Sequence, residues 1–93
     1  MYISVKNLNG TSDNYPPEGY SSWISWWREQ TGSYSSYLPC ANKDCPDAAE
    51  VGGHVKLDSN NKRWFIVPIC RACNRKPSSE TYLVDSDDLA PVR

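Results

Sequence analysis

The sequence predicts a small α+β domain whose single core is arranged around a bound zinc ion. The chain has 93 residues, which is the size of one domain and leaves room for only a modest core. Two strand-like segments, 51–57 and 63–69, flank a polar turn and predict a β-hairpin. The four cysteines form two close pairs on either side of this hairpin, Cys40-x4-Cys45 and Cys70-x2-Cys73.

The spacing of these cysteines is typical of a structural tetrahedral zinc site. Two disulfides are the alternative. The N-terminus lacks a basic region followed by an apolar run, so we expect no secretory signal and a cytoplasmic location. The longest apolar stretch, 64–69, is too short to span a bilayer, and we expect no membrane partner. Because cytoplasmic cysteines stay reduced, zinc is favoured over disulfides.

The N-terminal part of the chain is predicted to contain a strand, a loop and a helix. Residues 2–5 alternate in polarity and predict a short strand, and the turn-rich segment 7–19 predicts a loop. A serine at position 21 or 22 is a suitable N-cap for a helix over 22–31, which Gly32 would end.

Three tryptophans form an apolar stripe on this predicted helix. Trp23, Trp26 and Trp27 are spaced i, i+3 and i+4, so they share one helical face. Such a stripe normally faces a core, and we expect it to pack onto the zinc core. The alternative is an exposed platform on which bases or a partner protein stack.

The second cysteine pair is predicted to open a helix over 70–76 that Pro77 ends. A last strand over 81–84 would precede an acidic tail. A cysteine knuckle, a hairpin and a Cys-x2-Cys helix, in this order, are the layout of a treble-clef zinc finger. The single domain 1–93 then has three parts: the N-terminal addition 1–39, the zinc core 40–76 and the C-terminal strand and tail 77–93.

Two segments within residues 40–76 resemble the HNH endonuclease family. They are Gly52-Gly53-His54-Val55 and the run from Ile66 to Lys76, which contains Cys70-Arg71-Ala72-Cys73-Asn74. The resemblance implies a ββα core and hydrolysis of a nucleic-acid phosphodiester with Mg²⁺ or Mn²⁺.

This resemblance assigns His54 to the general-base position and Asn74 to the last metal-ligand position. Gly53 stands where the family usually has a metal-binding Asp or His, and Phe65 stands where it usually has an Asn. Asn60 and Asn61 are out of register for the latter role. We therefore expect the fold without the reaction, and the active endonuclease is the alternative.

His54 is the only histidine of the chain and has three possible roles. It can be a structural residue that packs beside the core, the general base or its remnant, or a zinc ligand. Four cysteines already complete a tetrahedral shell, which favours the structural role.

The formal net charge is −1, so composition does not indicate a general affinity for nucleic acid or membranes. Basic residues nevertheless predominate between positions 55 and 77. We expect either a solvated surface or a patch that contacts the phosphates of DNA or RNA, or a partner protein. The candidate residues are Lys56, Lys62, Arg63, Arg71, Arg75 and Lys76.

Overall fold

The computed structural model describes residues 1–8, 15–59 and 62–92. Residues 9–14 of the loop predicted over 7–19, and Asn60 and Asn61 of the predicted hairpin turn, lie outside these described residues. The elements in chain order are β1 Tyr2–Asn7, α1 Trp23–Thr31, β2 Val51–Leu57, β3 Trp64–Ile69, α2 Arg71–Asn74, β4 Thr81–Asp85 and β5 Ala90–Pro91. A short 3₁₀ turn, Ser86–Asp88, connects the last two strands.

The strands form one antiparallel sheet in the order β4-β1-β2-β3-β5. The predicted hairpin is confirmed, with Val51 opposite Ile69 and Lys56 opposite Trp64. The strand predicted over 2–5 extends to Asn7 and lies between β2 and β4. Strand β1 is therefore a central part of the sheet, although the sequence had indicated an addition outside the zinc core.

The C-terminal segment is more ordered than the predicted acidic tail. The strand predicted over 81–84 is confirmed as β4, and the residues after it form the 3₁₀ turn and β5. In β5, Ala90 lies opposite Ile66 of β3 and is buried. This pairing places β4 and β5 at opposite edges of the same sheet.

The short β4–β5 connection requires the sheet to curl. Asp85 and Ala90 are five residues apart, and five extended residues span at most about 18 Å. Four strand spacings across a flat sheet would measure about 19 Å, and the intervening 3₁₀ turn shortens the reach further. The two edges can be joined only if the sheet bends into a partly closed, barrel-like form.

The two faces of the sheet carry different hydrophobic clusters, because successive side chains of a strand point to opposite faces. The first, which we call the cysteine face, holds Val5, Val55, Val67 and the buried cysteines. The second, the tryptophan face, holds Ile66 and Ala90 beneath Trp26 and Trp27. The prediction that the tryptophan stripe is buried is correct, but its expected partner is wrong: it packs across the sheet from the cysteines.

Helix α1 begins and ends where local sequence signals place its termini. The Ser22 hydroxyl accepts a hydrogen bond from the Ser25 amide at 3.2 Å, and the Ser25 hydroxyl accepts one from the Ser22 amide at 3.3 Å. Gly32 ends the helix with φ 70°, a left-handed conformation that glycine adopts without steric cost. The Trp27 indole donates to the Asp88 carbonyl at 2.7 Å and ties the helix to the 3₁₀ turn.

Candidate metal centre

The first cysteine pair lies in a loop, which we call the knuckle (residues 39–48), that backbone hydrogen bonds hold in place. The amide of Cys45 donates to the Asn42 carbonyl at 3.0 Å and closes the turn between the two cysteines. The amides of Ala41 and Lys43 donate to carbonyls of β3 and β4 at 2.7 and 2.8 Å. The knuckle thus bridges two strands that are not neighbours in the sheet, which presents both thiols to the cysteine face.

The second cysteine pair lies where β3 turns into α2. Cys70 is the N-cap of α2, and its sulfur accepts a hydrogen bond from the Cys73 amide at 3.4 Å. Glu50 accepts a hydrogen bond from the Arg71 amide at 3.1 Å and forms an ion pair with the Arg71 guanidinium at 3.6 Å. Helix α2 spans one turn and is shorter than the predicted 70–76, because Arg75 and Lys76 continue it with i→i+3 bonds only.

The four sulfurs converge on one point. All four Sγ atoms lie within 4.8 Å of one another, and the Cys45 and Cys70 sulfurs are 3.7 Å apart. A tetrahedron with metal–sulfur bonds of about 2.3 Å has edges of about 3.8 Å. All four cysteines are among the described residues and none forms a disulfide, so the disulfide alternative is not supported. Their arrangement fits a single tetrahedral metal ion.

Hydrogen bonds to the sulfurs prepare them for the charge that metal binding requires. Cys40 Sγ accepts from the Cys70 amide, and Cys73 Sγ accepts from the Asn42 side chain, both at 3.4 Å. Burial nevertheless raises the pKa of Cys40 to about 12 and also raises that of Cys73. Burial raises the pKa of Cys70 too, but hydrogen bonds from Cys73 and the neighbouring thiols bring it below its ordinary value. A divalent cation would favour all four thiolates and release protons on binding.

A buried polar contact that the sequence did not indicate supports the second cysteine pair. The Asn7 amide group donates to the carbonyls of Cys73 and Lys76 at 2.8 and 3.1 Å, which ties β1 to the C-terminal end of α2. The Asn7 side-chain oxygen accepts from the Tyr82 hydroxyl at 2.5 Å. A buried, unremarkable asparagine at a strand end carries no motif, so only the three-dimensional contact reveals its role.

His54 lies on the tryptophan face and away from the cysteine sulfurs. Its ring makes edge-to-face contacts with Trp23 and Trp64, at centroid distances of 4.8 and 6.2 Å. The side chain is 7 % exposed, and Nε2 has no hydrogen-bond partner among the described residues. Burial lowers the pKa of His54, so the neutral ring is favoured. This position fits the structural role and does not fit that of a ligand in the cysteine cluster.

Asn74 lies on the other side of β2 from His54. A methyl group placed on Gly53 would be 3.0 Å from Asn74 Oδ1, which puts Asn74 against the cysteine face. Since Gly53 and His54 are consecutive in a strand, their outward directions are opposite. The structure therefore does not bring together the two residues that the HNH resemblance assigns to catalysis.

The six candidate nucleic-acid residues do not form one patch. Arg71 is paired with Glu50, and Lys76 is paired with Glu80 at 2.5 Å. The Arg63 guanidinium lies over the Phe65 ring at 5.6 Å, on the cysteine face. Lys56 is on the tryptophan face, since it lies two residues after His54 in β2. Lys62 is exposed beside the hairpin turn, and Arg75 is exposed after α2.

Comparison with known proteins adds no relative from which a function could be transferred. No family model matches the sequence, and no curated protein or solved structure matches the chain. Within the described chain, neither helix has the length and apolar content needed to cross a membrane. Functional inference therefore depends on the geometry of this molecule.

Proposed function

We propose that this chain is a zinc-stabilised binding module without catalytic activity. The observation that carries the proposal is the convergence of four cysteine sulfurs, all within 4.8 Å of one another. Thiolates are soft ligands that select zinc among the abundant divalent ions, and tetrahedral S₄ geometry is typical of structural zinc. Four protein ligands leave no position for water or substrate, so an ion held here would stabilise the fold.

The order of elements supports a treble-clef arrangement of the zinc core. A knuckle, the β2–β3 hairpin and a one-turn helix with Cys70 at its N-cap follow one another in the chain. We propose a distant relationship to HNH-type domains on this layout. The separation of His54 and Asn74 by the thickness of the sheet favours a fold without phosphodiester hydrolysis.

The zinc proposal is tested by metal analysis of the reduced, tag-free protein. We expect one zinc per chain and, with Co²⁺ in its place, the visible absorption of a tetrahedral thiolate site. Chelation should abolish the cooperative thermal transition, because metal-binding free energy is folding free energy in small sites. Cys73→Ser should lose zinc, whereas His54→Phe should keep it. Protein without bound metal that retains its thermal transition would refute the proposal.

The endonuclease alternative is tested by incubating supercoiled plasmid DNA with the zinc-loaded protein and Mg²⁺ or Mn²⁺. We expect no nicking above the level given by a heat-inactivated sample. Nicking that depends on the added ion and is lost in His54→Ala would establish the endonuclease instead. Zinc content of the variant provides the control for folding.

Contact with nucleic acid is a second candidate function, and a row of residues across the sheet favours it. Lys6 lies opposite Lys56, and Lys56 lies opposite Trp64, which is 39 % exposed. Lys6 also forms an ion pair with Asp58 at 3.8 Å, so Lys56 is the cation that suits a phosphate here, and the exposed ring suits a stacked base. A band shift with single-stranded DNA should weaken with salt and in Lys56→Ala, but not in Lys43→Ala. An unaltered shift in Lys56→Ala would reject this surface.

A further inference from the structure

We propose that a cleft beside the knuckle binds an arginine or lysine side chain from a basic peptide segment of a partner protein. This knuckle cleft is lined by Tyr2, Tyr37, Lys43, Asp85 and Asp88, among other residues. The inference rests on the proposed zinc-stabilised fold and names the partner chemistry of the binding module.

The cleft is large enough for an extended side chain and is built in part by the metal centre. Its volume is about 480 Å³, which lies within the usual range of ligand sites. Cys40 and Cys45 contribute to its wall, and Trp27 of α1 also lines it. Because a metal ion would fix the knuckle, the shape of the cleft would depend on metal occupancy.

Exposed tyrosines at the cleft provide aromatic surface for a cation. Tyr2 and Tyr37 are 54 % and 59 % exposed, although rings of this size usually contribute to cores or interfaces. Leu83, on the same face of the sheet as Tyr2, is also exposed. The face of an aromatic ring attracts ammonium and guanidinium groups, and arginine also stacks on it. The exposed rings thus suit a cation carried on an apolar stem.

The acidic residues of the cleft complement a positive charge. Asp85 and Asp88 both line it, whereas Lys43 is the one basic residue among the lining residues that the structure describes. Asp85 has an ion pair with the N-terminal ammonium group at 3.8 Å, between two partly exposed groups that a ligand could displace. Burial, together with Asp85 and Asp87, raises the pKa of Asp88, so a nearby cation would relieve an unfavourable carboxylate.

The chain already places one of its own cations in the cleft. The Lys43 ammonium lies 5.2 Å from the centroid of the Tyr2 ring, which is cation–π distance. Lys43 is exposed and belongs to the knuckle, so its side chain can leave the ring. We infer that it occupies the position of the incoming side chain and competes with it.

The test is a titration of the full-length, zinc-loaded ¹⁵N-labelled protein with a capped Gly-Arg-Gly-Arg-Gly peptide at low salt. We expect the backbone amide resonances of Tyr2, Tyr37 and Asp88 to shift. Lys43→Ala should tighten binding about two- to fivefold, because it removes the internal competitor. Asp88→Asn should weaken binding by a similar factor. Its fold should be intact, since Trp27 bonds the Asp88 backbone and not its side chain.

The controls distinguish recognition of a cation from non-specific peptide binding. The same peptide with citrulline in place of arginine keeps the size and loses the charge, and it should bind at least about fivefold more weakly. Asp58→Asn removes an acidic charge beside the hairpin and should leave the affinity unchanged. Equal binding of the citrulline peptide, unchanged affinity in Lys43→Ala, or movement of the cleft signals by DNA instead of the peptide would each overturn the inference.

Zinc content measured on the same samples distinguishes the two proposals. A protein that lacks zinc would contradict the proposed function. A protein that contains one zinc per chain and does not bind the arginine peptide would contradict only the role of the cleft.

Discussion

At the scale of single residues, a few polar side chains determine how the cysteine face is assembled. Asn7 links strand β1 to helix α2 and to Tyr82 with three hydrogen bonds, of which two are buried and one is partly buried. Buried polar groups of this kind stabilise a fold when every partner is satisfied, and they destabilise it when one partner is lost. The geometry of the second cysteine pair therefore depends on an asparagine more than sixty residues earlier in the chain.

Replacing Asn7 by alanine should lower the free energy of unfolding by about 2–4 kcal/mol, because a buried hydroxyl and two carbonyls lose their partner. Tyr82→Phe removes a single hydrogen bond, keeps the ring and should cost about 1–2 kcal/mol. Urea unfolding in the presence of zinc measures both variants. Equal costs for the two substitutions would show that the bonds to α2 contribute nothing.

The neutral state of His54 predicts a pH dependence of stability. Burial places its folded-state pKa below the ordinary value of 6.5. Between these two pKa values the unfolded chain binds more protons, so stability due to His54 falls as the pH decreases through 6.5 toward the folded-state pKa. His54→Phe keeps an aromatic ring between Trp23 and Trp64 and should flatten this slope. Because the thiolates also titrate, the relevant measurement is the difference in urea midpoint between the two proteins from pH 7 to 5.

If this difference were constant across the pH range, the predicted role of His54 protonation would be excluded. A steeper slope in His54→Phe would exclude it as well.

At this scale, the sequence predicted that the four cysteines form one cluster but not which residues surround it. Cysteine spacing is a local signal, and the structure brings all four sulfurs together. Whether His54 and Asn74 share one site depends on which face of β2 lies toward α2. Neighbouring residues of a strand point to opposite faces, so a match in residue order alone cannot tell which face His54 occupies.

At the scale of elements, close packing of α1 on β2 depends on a glycine. A methyl group on Gly52 would lie 2.7 Å from the backbone of both Trp23 and Ile24, which is too close for a methyl carbon. Helix α1 could relieve this contact only by moving away from the sheet, because backbone atoms cannot rotate out of the way.

Gly52→Ala should therefore destabilise the domain by about 1–3 kcal/mol and shift the tryptophan fluorescence. Gly32→Ala is the matched control. It substitutes a glycine with a positive φ and open space around it, so it should cost about 1 kcal/mol by strain and leave the fluorescence unchanged. Unchanged stability and fluorescence in Gly52→Ala would show that α1 packs too loosely on β2 to need a glycine there.

Elements with strong local signals were predicted more accurately than those that depend on distant partners. Helix α1 matches the predicted 22–31 to within a residue because its serine cap and terminal glycine act locally. Strand β5 has two residues and a proline, so no periodic pattern could indicate it, and its pairing with β3 is long-range. The sequence did not predict the central position of β1 for the same reason. The alternation of polar and apolar residues indicates that a segment is a strand, but it does not indicate which strands it pairs with.

At the scale of the whole molecule, one curled sheet separates two hydrophobic clusters of different chemistry. The cysteine face contains the candidate metal centre, and the tryptophan face contains α1 and β5. The short β4–β5 connection crosses from one edge of the sheet to the other and holds the curvature. The two clusters also approach each other at the knuckle cleft, which Cys40 and Trp27 both line. A disturbance on one face can therefore reach the other through the sheet or beside this cleft.

A substitution beneath α1 tests this separation. Ala90 is 2 % exposed, and Ala90→Ser would bury a hydroxyl at a cost of about 1–3 kcal/mol. We expect a lower urea midpoint with one zinc per chain still bound. Ala48→Ser, at an exposed position of the knuckle, should stay within about 0.5 kcal/mol of the parent. Loss of zinc from folded Ala90→Ser would show that the faces are not separate.

The location of three of the four tryptophans on α1 gives the molecule two optical signals that originate on opposite sides of a single layer. Indole emission reports one side, and ligand-to-metal charge-transfer absorption from cobalt-bound sulfur would report the other. Following both signals while the ion is removed would measure the delay between loss of the metal–sulfur bonds and the rearrangement of the indole environment on the opposite side.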